Sequence, residues 1–413
     1  MKRTGHQVSG STDPIAQAYV RLALSIGQHR PDYVDAYYGP RSWQDQARSA
    51  GPRPLTDLLR ESEELTAAIA ADTAMNPQRA DFLTRQVRAM QISLRRLQGE
   101  RPSLVEDTKI LYDITPQWVD EASFAEAHRT LDESLPPGDS LAERLAARNE
   151  AAKIIIEPDS PVLNEIIAEL RARTRARLPL PPDESFALEL VRDRPWSAYN
   201  WYLGEFRSRI EINTDRPMTI TRLVDLMAHE GYPGHHTELS SKEASLVRAQ
   251  GWVEHSVTLL DTPSCVVAEG IATRALATLM SDDELVSWYA TELFPRAGLK
   301  HLDASRERAI DAASLALEAV TTNAVFLLFE QHASDAEVSA YAQRHRLNSR
   351  QAADQLVRFL HHARSYAFTY HHGGTMLDAL FASHPERDPW FARLLREPVT
   401  PSQIRSWSGY VDR

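Results

Sequence analysis

The chain has 413 residues, 43% hydrophobic and 25% charged, which is the ordinary balance of a folded globular protein with room for a large core. A net charge of −11 without long acidic runs disfavours non-specific nucleic-acid binding, which needs a basic footprint, and favours neutral or cationic substrates. A single cysteine, Cys265, excludes an internal disulfide and a cysteine-based zinc site, and suits a reducing interior.

From the start of the chain, MKRTGHQVSGSTDP offers positive residues but no apolar stretch after them, so no secretory leader is expected. No run approaches 18 consecutive apolar residues, so no membrane span is expected either, and a cytoplasmic location follows as the expectation. Apolar residues then recur at three- and four-residue spacing, predicting helices over 15–26, 82–97, 140–156, 162–178, 220–229, 264–280, 299–329 and 352–368. Ser281-Asp-Asp-Glu284 and Ser349 read as helix openings. Proline and glycine punctuate the series at Pro136-Pro-Gly138, around 179–182 and at Pro295. One segment, 209–214, alternates polar and apolar residues and ends near Asp215 and Pro217, which predicts a short strand or extended edge just before a helix. The fold class expected is mainly α, a large helical fold with a short strand or small sheet beside the active-site helix. We treat 1–413 as a single unit, with a helical N-terminal half over about 1–180 and a metal-site half over about 195–385. The proline-rich stretch near 175–195 is the best candidate boundary.

The informative segment is His229-Glu230-Gly-Tyr-Pro233-Gly234-His235-His236 at the end of the 220–229 helix. In the familiar His-Glu-x-x-His pattern, two histidines one helical turn apart bind zinc and the intervening glutamate activates water. Here the fourth residue after His229 is Pro233, which ligates nothing. In an unbroken helix His235 would be rotated by about 240° from His229, and His236 would sit about 10.5 Å further along. Neither could share an ion with it. Pro233 cannot continue a helix past His229, however, and disfavours helical geometry at Tyr232, while Gly234 tolerates unusual backbone angles. The Pro-Gly pair is therefore where the chain can fold a second histidine back onto the first, and either His235 or His236 could be that ligand. A carboxylate from elsewhere would complete the set, with Glu269 and Glu254 as rivals. Glu269 lies among apolar neighbours (Val266, Val267, Ala268, Ile271, Ala272), which points to burial, where a carboxylate needs a partner.

This segment closely resembles the HExxPGHH signature of the bacterial domain-of-unknown-function family 885, whose members look like zinc peptidases related to the helical carboxypeptidase Taq and angiotensin-converting-enzyme group. Ala268-Glu269-Gly270-Ile271-Ala272 is similar to the family's Glu-Gly-Trp-Ala element, with Ile271 in place of tryptophan. Tyr202-Leu-Gly204 and 208–213 resemble its extended segment, and Tyr370-His-His-Gly373 its Tyr-x-x-Gly element. Glu238 stands where glutamine is common. The likeness covers about 195–385. It implies His229, His235 and Glu269 as ligands of Zn2+, with His235 preferred to His236 and Glu269 to Glu254. It also implies hydrolysis of a peptide substrate.

In such chemistry Glu230 would be the general base and Tyr370, or His371 beside it, the donor to the developing oxyanion. Tyr366, one turn before Tyr370, reads as packing on the same helical face. The 210–213 segment could pair with an extended peptide as an added strand. His361-His362 reads as a surface pair. A non-catalytic helical metal-binding scaffold and an amidase acting on non-peptide amides are the alternatives. A glycine-rich phosphate loop, a Gly-x-Ser-x-Gly elbow and Glu-x-x-His di-iron motifs are absent from the sequence. The sequence leaves the oligomeric state open.

Overall fold

A computed structural model describes residues 13–157, 160–194, 196–215 and 218–412. The N-terminal residues read above for a leader, up to residue 12, and Pro217 lie outside the described residues.

Asp13 opens helix α1 (Pro14–Ile26) by accepting from the amides of Ile15 and Ala16. Strand β1 (Val34–Tyr37) follows, then α2 (Arg41–Ala50), α3 (Leu55–Ala71) and α4 (Pro77–Leu97), the last capped by Asn76. Tyr19, Leu58, Leu83 and Val87 from these helices share one apolar cluster with Val253, Val257 and Leu259, far along the chain. The N-terminal helices therefore rest on the half of the chain that follows residue 195. A buried Arg79–Glu254 ion pair fastens them there, with Asp13 also bound to Arg79.

Helices α5 (Leu104–Leu111), α6 (Ala122–Ser134) and α7 (Leu141–Ala151) come next; α5 and α7 begin with reciprocal Ser–Glu caps. The helix expected to run to residue 156 ends at Ala151, because β2 (Lys153–Ile154) leaves to pair with a later strand. After α8 (Pro161–Arg177), the stretch taken as a boundary contains β3 (Ser185–Val191). With β4 (Ala198–Gly204) and β5 (Arg207–Asn213) it forms a three-stranded sheet in the order β3-β5-β4, β3 parallel and β4 antiparallel to β5. The expected strand is thus present but central. Both of its edges are occupied, so a peptide cannot add to residues 210–213.

The β4–β5 hairpin turns at Glu205 and Phe206, both at positive φ (54° and 59°). That left-handed geometry suits the twist of a two-residue hairpin but is unusual for these residue types. The buried Glu243 carboxylate holds it, accepting from both turn amides and from the Tyr202 hydroxyl.

Strand β6 (Met218–Thr219) pairs with β2 and leads into α9 (Ile220–Glu230), capped by Thr219. Leu223 and Met227 of α9 bury against Ile210 and Ile212 of β5 and Leu163 and Ile166 of α8. Helix α10 (His235–Lys242) continues into a π turn at Glu243–Arg248, and β7 (Val257–Leu259) returns to pair antiparallel with β1. The rest is helical: α11 (Pro263–Thr273), α12 (Ala275–Leu279), α13 (Asp282–Trp288), α14 (Phe294–Arg296), α15 (Ala304–Ala316), α16 (Val320–Phe329), α17 (Asp335–Arg346), α18 (Arg350–Ala363), α19 (Phe368–Ser383), α20 (Arg387–Arg396) and α21 (Pro401–Ser408). Ser281 and Ser349 cap α13 and α18, as their sequences suggested. The run from Ala304 to Phe329 is long and apolar enough to cross a membrane, with mean hydropathy 1.6, but half of that window is buried in the fold. The protein is mainly α-helical, with small sheets beside the α9 helix.

Candidate metal centre

Helix α9 stops at Gly231, whose amide still reaches Met227 O at 3.0 Å. Across a cis Tyr232–Pro233 peptide the chain doubles back, and the Gly234 amide donates to Ala228 O at 2.9 Å. A Cβ at Gly234 would lie 1.8 Å from His229 O, so only glycine permits this approach. The reversal sets the His229 and His235 rings perpendicular (87°), with centroids 4.8 Å apart. The break at Pro-Gly does what the spacing required of it.

Glu269 reaches the same point from α11. Its Oε2 lies 3.5 Å from His229 Nε2 and 3.8 Å from His235 Nε2, and one donor atom from each of the three residues lies within 4.8 Å of the others. Donors at about 2 Å from a tetrahedral ion stand roughly 3.3 Å apart, so a small inward shift would complete such a set. The environment fits a cation. Glu269 Oε2 is buried and without a hydrogen-bond partner, an arrangement costly for a carboxylate unless a positive charge meets it. Oε1 accepts from the Tyr366 hydroxyl at 2.7 Å. Burial raises the Glu269 pKa, opposed by the nearby His235 and by Tyr366. Burial drives His229 well below its usual value, favouring the neutral imidazole that a metal needs. At His235 burial is outweighed by the charges of Glu269 and Glu230, and the pKa rises.

The two residues left as alternatives in the sequence lie elsewhere. His236 is fully buried with Nδ1 at 2.8 Å from Ser208 Oγ and Nε2 at 3.1 Å from Glu184 Oε2. Against the effect of burial, bonds from His236, Tyr232 and Arg171 hold the Glu184 carboxyl below the ordinary range. His236 therefore pins α10 to the sheet region. Glu254 is engaged by Arg79 through both oxygens.

Glu230 points into a cavity of about 1620 Å3 that is also lined by His229, His235, Glu269 and Tyr370. Burial pushes its pKa up to about 7. Asn200 of β4 donates to the Glu230 main-chain oxygen at 2.7 Å and fixes the end of α9. Tyr370 lies edge-to-face on Tyr366, centroids 5.9 Å apart, and burial keeps its hydroxyl protonated, well above the usual range. His371 lines the same cavity and burial lowers it to about 4, so it is neutral near pH 7. His361 lies on the surface beside Asp335, at 2.8 Å.

Three contributors escaped the sequence reading: Tyr366, treated as packing, Asn200, and Asp35 of β1. Asp35 accepts from the Tyr199 hydroxyl within the cavity. Asp35 sits alone between Val34 and Ala36 in a four-residue strand, and no local pattern marks it.

No family model matches the chain, and no curated protein does. Among solved structures, "the putative lipoprotein from Colwellia psychrerythraea" matches with a TM-score of 0.52 at 15% identity, over 85% of this chain and 66% of that one. A "putative lipoprotein of unknown function from Shewanella oneidensis" matches with a TM-score of 0.49 at 11% identity, over 88% and 75%. The chain spans just under two thirds of the Colwellia structure, and at this identity the likeness is one of fold.

Proposed function

We propose that the protein is a zinc-dependent peptidase, with His229, His235 and Glu269 holding the ion, Glu230 as general base and Tyr370 as oxyanion donor. The observation that carries this reading is the convergence of two imidazole nitrogens on a buried carboxylate oxygen without a hydrogen-bond partner, beside a separate buried glutamate in a large cavity. Zinc supplies Lewis acidity, polarising a carbonyl oxygen and acidifying water. Glu230 takes a proton from the attacking water as its oxygen bonds to the scissile carbonyl carbon, then gives that proton to the leaving nitrogen as the C–N bond breaks. A pKa raised to about 7 by burial, and drawn down by a neighbouring cation, lets one carboxyl perform both transfers near neutral pH. Tyr370, protonated throughout that range, can donate to the oxygen that gains charge. The likeness of residues 229–236 to the domain-of-unknown-function 885 signature supports the same assignment.

Metal analysis of the purified protein is expected to find close to one zinc per chain, lost in His229→Ala and Glu269→Ala. Glu230→Gln keeps the zinc and lowers hydrolysis of a mixed peptide library, read by mass spectrometry, at least about a hundredfold. Bound zinc with no cleavage by the native protein would instead favour a non-catalytic scaffold or an amidase.

A further inference from the structure

Among the described residues, nine acidic ones line the cavity, and six of them are paired with arginine or lysine, as Asp107 is with Arg96 at 3.0 Å. Three have no such partner among the described residues. Two are Glu230 and Glu269, whose roles are argued above. The third is Asp35. Elsewhere in the fold, the buried carboxylates Glu184, Glu243, Glu254 and Glu307 each meet an arginine.

Asp35 is held in place. β1 pairs with β7, and the Tyr199 hydroxyl donates to Asp35 from β4. The next residue on β4, Asn200, is bonded to the main chain of Glu230, so the Asp35–Tyr199 pair and the base share one support. A carboxylate that lines the same cavity as Glu230 and Glu269 and has no lysine or arginine partner among the described residues is suited to receive a cation.

We propose that Asp35 binds an ammonium group of the substrate next to the scissile bond, foremost the free α-amino group of a peptide's first residue. This rests on the peptidase reading and gives it a direction, removal of residues from the amino end. The net charge of −11 would draw such cationic substrates toward the protein.

The test uses the zinc-loaded Glu230→Gln protein, expected to cleave at least about a hundredfold more slowly, and calorimetry with three peptides: trialanine amide, its N-acetyl form, and N-acetyl-lysyl-dialanine amide. The free-amine peptide is expected to bind at least about tenfold more tightly than its acetylated form. Adding Asp35→Asn or Asp35→Ser should erase that preference while zinc content stays at one per chain, which shows the fold and site to be intact. Recovery of tight binding by the lysyl peptide identifies a side-chain ammonium as the source. Equal affinity for all three peptides, a preference that survives both Asp35 variants, or a second zinc lost with Asp35 overturns the proposal. Failure of the peptidase reading shows separately, as absence of cleavage by the native protein.

Discussion

Glu269 owes its aim to Tyr366. The tyrosine hydroxyl occupies Oε1 and leaves Oε2 facing the two imidazoles. Partners of this kind, one step behind the ligands, tune metal affinity, so Tyr366→Phe should weaken zinc binding about 10- to 100-fold in competition with a chromophoric chelator. Unchanged affinity would reduce Tyr366 to packing. Periodicity could place Tyr366 and Tyr370 one turn apart but could not say which hydroxyl meets a carboxylate from another helix. The chain also breaks at Arg364 (φ 48°), where a continuous helix to residue 368 was expected. The adjacent histidines show the same limit. His235 and His236 are alike in sequence and are separated in space by what each side of α10 faces: a cavity for one, Ser208 and Glu184 for the other.

Helices α11 and α19 touch backbone to backbone at Gly270 and Gly373. A Cβ on Gly373 would lie 2.4 Å from Val266 O, and one on Gly270 would lie 2.7 Å from Gly373 O. Gly270 follows Glu269 directly and Gly373 lies one turn beyond Tyr370, so this crossing sets the distance between the candidate ligand and the tyrosine. Gly373→Ala must push the helices apart, at a cost of about 1–3 kcal/mol. We expect a lower urea midpoint together with reduced zinc content; a stable variant with full zinc would show that the crossing does not govern the site. Both glycines are visible in the sequence as short motifs about a hundred residues apart, but their contact is not. Among the other elements, β5 was legible because it alternates apolar and polar residues, whereas β3 was hidden in a stretch whose prolines suggested a linker. Its pairing to β5 depends on β4 and on the Glu243-held hairpin, long-range features no local pattern contains.

Across the whole molecule, apolar clusters join residues near both ends of the chain: Ala89 and Ile92 of α4 pack with Val266 of α11 and Leu377 of α19. Acid should therefore loosen the protein as a unit, and His372 gives a measurable part of that response. Both ring nitrogens are buried without partners, and burial lowers its pKa to about 3. An unfolded histidine titrates near 6.5, so between these values the unfolded chain binds the extra proton. Stability is full above about pH 6.5 and falls as pH drops, by about 1.4 kcal/mol per unit from this group. Urea midpoints of metal-free protein between pH 7 and 4 should fall less steeply in His372→Met than in the native chain. Equal slopes would remove His372 from the account.

The Tyr366–Glu269 bond also bears on how the protein is made. The tyrosine is 97 residues (366 − 269) downstream of the carboxylate it orients. At roughly 5–20 residues per second, a ribosome needs about 5–20 seconds to add the second after the first. Throughout that interval the nascent chain carries all three candidate ligands without the hydroxyl that orients the third, so the proposed receptacle takes its final shape only after residue 366 has been added.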